Sequence, residues 1–244
     1  MASLQISNWE TQIPAELLIA RLVNLCTLPC DIDIMDLSQE VQTIRQSLID
    51  LCSHTEGLLE LEFSTFLVKV SQPLNTNLEH KILVDNGVVH PNKGAFVGSG
   101  PMPLTSFILA TYHMKSTHFD NFDIDEKAND VAQKIVFTDV ELSKRMKFET
   151  NDIMKVREKL AEYECIFLAA LVGMNKENKV KILQHIRKYM KDGSVLLVRS
   201  AKGARAFLYP VVEEHDLPGF ELLTIFHPNN EVINSVVLVR KPIF

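Results

Sequence analysis

The spacing of apolar positions along the chain changes near residue 94. Before that point apolar residues recur at intervals of three and four, which is the period of an amphipathic α-helix. Helices are predicted over residues 14–26, 37–52 and 55–70, the last continuing the pattern after Gly57. In the second of these helices Val41, Ile44, Leu48 and Leu51 fall on one face. Residues 1–90 are therefore expected to form a small helical domain.

After residue 94, short apolar runs alternate with helical stretches. Strands are predicted over residues 94–98, 119–124, 165–171 and 194–200, with another at either 134–139 or 146–150, and the clearest helix covers residues 176–190. This alternation indicates βαβ units and a mainly parallel sheet. Residues 219–241 hold two β-rich runs around a Pro-Asn-Asn turn, which predicts an antiparallel hairpin. The predicted fold class is α/β, with a Rossmann-like domain over residues 91–244; the closing hairpin is typical of S-adenosylmethionine-dependent transferase domains.

The composition and charge of the chain argue against nucleic-acid binding, a membrane span and secretion. The chain has 244 residues, 46% of them hydrophobic, and a formal charge of −6, and it has no basic stretch of the kind that binds nucleic acid. Its longest uncharged apolar run, residues 165–174, is shorter than the roughly 20 residues of a membrane span. No signal peptide is recognised in residues 1–14, and the four cysteines are unevenly spaced. A cytoplasmic protein with reduced thiols and no metal site is expected.

The segment AFVGSGPMPLTS is the first candidate ligand site. Gly98, Ser99, Gly100 and Pro101 lie where a predicted strand gives way to a helix, and glycines there let a ligand approach the backbone. A dinucleotide fingerprint would have a third glycine where Pro103 stands, and prolines remove N–H groups that a pyrophosphate needs. A ligand with ribose and no phosphate fits better, which favours S-adenosylmethionine. A tight turn without a ligand is the alternative interpretation.

Acidic positions follow at the ends of the next two strand-like units. Asp123 comes 25 positions after Gly98, close to the ~20-residue offset of an acid that binds ribose hydroxyls. Asp125 is interpreted as the cap of the next helix. Asn151 and Asp152 belong to the same candidate site. Asp152 would either accept a hydrogen bond from an adenine amino group or cap the helix that follows, and the two interpretations are equally supported.

Six longer motifs carry a resemblance to a known family. They read AFVGSGPMPLTS, FDNFDIDEKAND, ELSKRMKFETNDI, IFLAALVGM, GARAFLYPVV and HPNNEVINSVVLVRKP. Together they resemble plant nicotianamine synthase, from about Ala15 to Pro242. The resemblance implies an enzyme that condenses three molecules of S-adenosylmethionine, with two aminocarboxypropyl transfers, one azetidine ring closure and release of methylthioadenosine each time. It also implies a helical domain that closes over a Rossmann-like domain, no separate cofactor, and a product that chelates iron, zinc and copper.

Such a reaction needs a general base, because the attacking α-amino group must lose a proton. Glu56 and Glu60 lie four positions apart on one predicted helix face. Without the resemblance, both would be interpreted as solvated helix acids. The resemblance implies that Glu60 is the catalytic glutamate and that Glu56 supports it.

The carboxylates of the substrate need cations. Arg205 and Tyr209 lie four apart after a predicted strand, and Arg205 is a candidate for a bidentate carboxylate clamp. An arginine that packs at a helix start is the alternative for Arg205, and Arg199 is another candidate clamp. His227 precedes a proline in the hairpin turn and is interpreted as structural.

Three departures from the family pattern leave turnover open. The N-terminus is shorter, Lys202 stands where the family usually has His, and a Tyr-rich segment before the LEHKIL motif is absent. A catalytic tyrosine of the family belongs to that segment, so no residue here inherits its role. The alternatives are an active synthase, a relative that binds the ligand or partner subunits without turnover, and an ordinary methyltransferase. S-adenosylmethionine is the expected partner, neither nucleic acid nor membrane is expected, and a homo-oligomer is an open alternative to a monomer.

Overall fold

The computed structural model describes residues 32–67, 76–228 and 234–243, together with helical positions at 17, 21 and 24. Apart from those three positions, the helix predicted over residues 14–26 lies outside the described residues. The end of the helix predicted over residues 55–70 also lies outside them.

Seven strands form one sheet at the centre of the described part. They are β1 Lys93–Val97, β2 His118–Asp123, β3 Met146–Thr150, β4 Cys165–Leu168, β5 Val195–Ser200, β6 Glu221–Phe226 and β7 Ser235–Arg240. Their order is β3-β2-β1-β4-β5-β7-β6. The first five strands are parallel, and β7 pairs antiparallel with β5 and β6. The predicted α/β class, with its parallel sheet and closing hairpin, is confirmed.

Helices cover both faces of the sheet. In the described residues they are α1 Gln39–Leu67, α2 Thr76–Asp85, α3 Leu104–Ile108, α4 Glu126–Val136, α5 Val140–Arg145 and α6 Lys176–Tyr189. Short 3-10 turns cover Ile34–Asp36, Ile153–Lys155, Glu158–Glu162, Gly203–Phe207 and Glu214–Asp216, and a π-helical turn covers Leu109–His113. The carboxylate of Asp125 accepts a hydrogen bond from the backbone N–H of Lys127, so the predicted cap of α4 is confirmed.

Successive side chains of a strand point to opposite faces, so each face of the sheet carries its own apolar core. On one face Val97 and Leu168 pack with Ile186 of α6. On the other face Phe96 packs with Leu83 of α2. The division at residues 90 and 91 into a helical and a Rossmann-like domain stays a prediction, and α2 shares an apolar cluster with the sheet across it.

One of the two alternatives for the third strand is wrong. Residues 134–139 are not a strand, because residues 126–136 form α4, in which the buried Ala128, Ala132 and Val136 recur with the period of a helix. The alternative at residues 146–150 is confirmed as β3.

The helical part also differs from the prediction. The helices predicted over residues 37–52 and 55–70 form one continuous helix, α1, and Gly57 lies within it without interrupting it. Helix α2 was not predicted, since its segment mixes apolar, polar and turn residues without a clear period.

The face of α1 that packs on the rest of the protein is not the apolar stripe of its sequence. Ile44 and Leu51, which belong to that stripe, are 53% and 56% exposed. Ile49 and Cys52 are buried instead, at 2% and 4% exposure. Residues 49, 52, 56 and 60 follow one another at intervals of three and four, so the inward face of α1 carries acids as well as apolar side chains.

We expect Gly57→Ala to stabilise the protein by about 0.5–1 kcal/mol, because alanine favours the interior of a helix over glycine. No atom lies within 4 Å of the position that a Cβ on Gly57 would take. Urea unfolding measures the change. A loss of stability would contradict a continuous α1.

Gly173→Ala is the matched control. Gly173 has φ +76°, and a Cβ there would lie 2.9 Å from the backbone N and Cα of Lys179. Alanine at this position is expected to lower the free energy of unfolding by more than the ~1 kcal/mol that a compatible substitution could add.

Candidate active site

The carboxyl ends of the parallel strands meet at one edge of the sheet, where open α/β folds bind ligands. A cavity of about 1860 Å³ opens at this edge. The segments that follow β1, β2, β3 and β4 line it, and α1 contributes a further wall. The cavity is therefore bounded by both the predicted helical domain and the predicted Rossmann-like domain.

The predicted glycine turn lies at the end of β1 and lines this cavity. Gly98 and Gly100 have φ +80° and +65°, a region that favours glycine. A Cβ on Gly98 would lie 2.2 Å from Cγ2 of Val172, in the loop after β4. The turn therefore depends on glycine both for its backbone conformation and for its close packing on that loop.

Gly100 brings the turn against α1. A Cβ on Gly100 would lie 2.7 Å from Oε2 of Glu60. The backbone N–H of Gly100 donates a 2.8 Å hydrogen bond to Oδ2 of Asp123. The missing side chain thus lets the Glu60 carboxylate approach the end of β1, and Asp123 fixes the backbone at that point.

The other acidic candidates also reach the cavity. Asp123, Asn151 and Asp152 all line it. The Asp123 carboxylate accepts a second hydrogen bond, from the backbone N–H of Asp125 at 3.0 Å. Asp152 accepts a 2.9 Å hydrogen bond from the backbone N–H of Met154, so the cap interpretation of Asp152 is confirmed. Its role toward an adenine amino group stays a prediction.

Glu56 and Glu60 both line the cavity from α1. The Tyr209 hydroxyl donates a short hydrogen bond to Oε1 of Glu56. Burial raises the pKa of Glu56, although that hydrogen bond and Arg199 favour its ionised form. Burial, together with the charge of Glu56, raises the pKa of Glu60 to about 7. A carboxyl group with that pKa can both take up and release a proton near neutral pH.

One cation is held in place at the cavity wall. Nε of Arg199 donates to Oε1 of the buried Glu79 at 2.8 Å, and Nη2 donates to Oε2 of Glu79 at 3.3 Å and to Oγ1 of Thr105 at 2.6 Å. The guanidinium lies 5.6 Å from the centre of the Phe96 ring. Since no hydrogen bond of Nη1 is found within the described residues, Arg199 presents a fixed donor to the cavity.

Arg205 does not line the cavity among the described residues, so its role as a carboxylate clamp stays a prediction. Its Nη1 donates a 2.6 Å hydrogen bond to the backbone carbonyl of Pro228, and the side chain is buried away from the cavity lining. The alternative interpretation of Arg205, as a packed structural residue, describes this position. His227 hydrogen-bonds through Nδ1 to Oγ of Ser235 at 2.9 Å, as expected of a structural residue in the hairpin.

Sequence reasoning missed several polar residues that line the cavity, which are Ser53, His54, Glu79, Thr105, Asn178, Lys181 and Asn234. Glu79 belongs to α2, which the pattern did not reveal. Asn234 comes directly before β7, and no sequence motif marked it as a ligand-binding residue. Oδ1 of Asn234 and Oγ of Ser99 are buried without a hydrogen-bond partner in the described part of the chain. Polar atoms of this kind are where a bound ligand would make hydrogen bonds.

Solved structures identify the class of the fold. MtNAS in complex with MTA and tNA matches with a TM-score of 0.72 at 20% identity, covering 92% of this chain and 87% of that one. Magnesium protoporphyrin IX methyltransferase from Synechocystis PCC 6803, with bound SAM, matches with a TM-score of 0.54 at 16% identity, covering 69% and 78%. These structures, at 16–20% identity, identify the fold as Rossmann-like, and the cavity lies at the edge of the sheet where such folds bind ligands.

The chain belongs to the nicotianamine synthase family. The sequence model described as "Nicotianamine synthase protein" matches residues 3–244. Nicotianamine synthase of Solanum lycopersicum is 48% identical over 254 residues, which covers 97% of this chain and 80% of the relative. Nicotianamine synthase 1 of Arabidopsis thaliana is 46% identical over 259 residues, covering 97% and 81%. Because these aligned stretches are longer than the 244-residue chain, the relatives carry residues that this chain lacks.

No helix in the described part of the chain is both long and apolar enough to cross a membrane.

We expect the ionisation of Glu60 to lower the free energy of unfolding, because the pKa of its carboxyl group is raised in the folded state. In the window between the ordinary value of 4.5 and about 7, the folded protein binds more protons at this site than the unfolded chain does. Stability is therefore lost as pH rises through that window. Glu60→Gln removes the cost, so its melting temperature relative to wild type should be higher at pH 8 than at pH 5.

Glu40→Gln, an exposed position on the same helix, is the matched control and should show no such pH-dependent difference. An equal shift of the Glu60→Gln melting temperature at both pH values would contradict the raised pKa.

Proposed function

We propose that this chain is an active nicotianamine synthase, which condenses three molecules of S-adenosylmethionine and releases three of methylthioadenosine. The observation that carries the proposal is the position of Glu60. A carboxyl group with a pKa near neutrality lies against the glycine turn, inside the cavity, in a member of this family.

In the proposed transfer step, Glu60 acts as the general base. It takes a proton from the α-ammonium of the acceptor substrate, and the freed nitrogen lone pair attacks the sulfur-bound carbon of the donor's aminocarboxypropyl group. A carbon–nitrogen bond forms and the carbon–sulfur bond breaks. The sulfur keeps the bonding electrons, so neutral methylthioadenosine leaves. Because the sulfonium is already an activated leaving group, we propose that no separate cofactor takes part.

Glu56 and Tyr209 support this base. The charge of Glu56 helps to raise the pKa of Glu60, and the Tyr209 hydroxyl orients Glu56. The family's catalytic tyrosine lies in the absent segment. Tyr209 is the tyrosine that lines the cavity among the described residues, and its phenol supports turnover in a chain without that segment.

Arg199 is proposed to bind a substrate carboxylate. Glu79 and Thr105 fix the orientation of its guanidinium, as the distances above show, so little side-chain freedom is lost on binding. The adenosine moiety is proposed to lie along the glycine turn, Ser99 included, with Asp123 at the ribose. Asn151 and Asp152 would then lie at the adenine.

Two finer statements are also proposals. We place the enzyme in the cytoplasm, which the low number of cysteines supports. Its role is proposed to be the supply of a chelator for iron, zinc and copper.

The direct test is to incubate the purified protein with S-adenosylmethionine and to identify the products by mass spectrometry. Nicotianamine together with methylthioadenosine would confirm the proposal. Binding of methylthioadenosine without any product would favour the second candidate, a ligand-binding relative without turnover, which the absent segment supports. S-adenosylhomocysteine as the product would indicate a methyltransferase instead.

In the same assay, Glu60→Gln is expected to lower kcat by about 10²–10⁴-fold, the usual contribution of a general base. The wild-type kcat/KM, which reports the ionisation of the free enzyme, should rise with pH through a value near 7, where Glu60 becomes ionised. Glu40→Gln serves as the control on the same helix. A Glu60→Gln variant with wild-type kcat would exclude Glu60 as the base.

A second pair of variants separates the two arginines. Arg199→Lys keeps the charge but loses the planar guanidinium, so KM for S-adenosylmethionine should rise about tenfold or more. Arg205→Lys should leave KM close to wild type, because its guanidinium binds a backbone carbonyl outside the cavity. Equal effects on KM would contradict the assignment of Arg199.

A further inference from the structure

Lys179 is a buried charged residue that the proposed chemistry does not use. It lies on α6, and only 1% of the residue is exposed. Within the described residues no carboxylate pairs with it, and its burial lowers the pKa of the ammonium to about 7. A buried amine without a counter-ion costs the fold free energy, so its position requires an explanation.

The contacts of Lys179 lead to the edge of the cavity. Its Nζ donates hydrogen bonds to the carbonyl oxygens of Ala169 and Ala170, at 3.0 and 2.8 Å. These two residues come directly after β4, and with Leu171, Val172 and Gly173 they form the loop that lines the cavity. An apolar side chain of the same length could fill the space but could not satisfy either carbonyl.

That loop is the surface on which the glycine turn rests. The position of a Cβ on Gly98 lies 2.2 Å from Cγ2 of Val172 and 3.1 Å from Cβ of Ala169. A displacement of the loop would therefore move the turn, or leave a gap beneath it. Gly173 also allows the loop to pass close to the backbone of Lys179 itself.

We propose that Lys179 is a positioning residue for S-adenosylmethionine: its amine binds the Ala169 and Ala170 carbonyls and holds the loop of residues 169–173 against the glycine turn. The proposal rests on the proposed function in that it takes the glycine turn to be the adenosine site. Lys179 acts through the loop and need not touch the ligand.

The test compares Lys179→Met with wild type. Calorimetric titration with methylthioadenosine gives Kd, and steady-state assays with S-adenosylmethionine give KM and kcat. We expect Kd and KM to rise together by about tenfold, the scale of effect that misplaced binding groups produce, with a smaller change in kcat. Lys188→Met, an exposed lysine on the same helix, is the matched control and should leave both constants unchanged.

A purely structural role gives a different result. If Lys179→Met lowers the melting temperature but keeps Kd and KM within twofold of wild type, the proposal is overturned. Should Lys179→Met fail to fold, Lys179→Gln is the second variant. Its side chain is one atom shorter, so its N–H groups fall short of the Ala169 and Ala170 carbonyls unless the loop moves. An unchanged Kd in that variant overturns the proposal equally.

Hydrogen exchange on the wild-type protein needs no variant. Methylthioadenosine should slow exchange of the backbone amides of residues 169–173, and unchanged exchange in this loop would contradict the proposal.

If wild type binds methylthioadenosine but makes no nicotianamine, the proposed function fails while the Kd comparison still decides the role of Lys179. If wild type does not bind methylthioadenosine, both fail.

Discussion

The close approach of α1 to the end of β1 at Gly100 is the constraint on which the cavity depends. The Glu60 carboxylate occupies the space that any side chain at residue 100 would need. The backbone of the same residue is fixed by its hydrogen bond to Asp123. One residue without a side chain therefore brings together the proposed base from α1 and the proposed ribose-binding acid from β2. A larger residue would force α1 away from the sheet edge and open the cavity to water, and the desolvation that raises the pKa of Glu60 would weaken.

Burial and the neighbouring charges together set the pKa of Glu60, and they do not all act in the same direction. Arg199 could stabilise the ionised form of Glu60, but its guanidinium is committed to Glu79 through two hydrogen bonds. Glu56 lies one helical turn away and adds a like charge. Burial and this repulsion outweigh the attraction of Arg199, so the pKa of Glu60 is raised rather than lowered. A cation bound in the cavity would shift the balance back toward the carboxylate. The site therefore favours the basic form of Glu60 most strongly when a positively charged substrate is present.

The sequence predicted the Rossmann-like sheet well because parallel strands and their helices have strong periodic patterns. The glycine turn and the cap at Asp125 were predicted from local backbone chemistry. Glycine allows a positive φ, and an aspartate side chain accepts hydrogen bonds from the first N–H groups of a helix. The continuous α1 was not predicted because the helical pattern was interrupted at Ser53 and His54, so two helices were predicted over residues 37–52 and 55–70 where the structure has one. Sequence spacing could not show which of the two arginines, Arg205 or Arg199, lines the cavity and so is the better candidate to bind a substrate carboxylate. The answer depends on Glu79, a residue 120 positions away from Arg199 along the chain, and such contacts are set by tertiary structure.

The shortened segment before β1 leaves the inner wall of the cavity intact. Helix α2 begins at Thr76 and carries Glu79, which pairs with Arg199. The groups around Glu60 come from α1, from the glycine turn, and from the end of β5 and the turn after it. None of them belongs to the lost segment. What that segment would add is a second phenol and a further wall, whereas the phenol of Tyr209 is already hydrogen-bonded to Glu56. The described structure therefore retains the groups proposed as the base, the carboxylate receptor and the adenosine-binding turn.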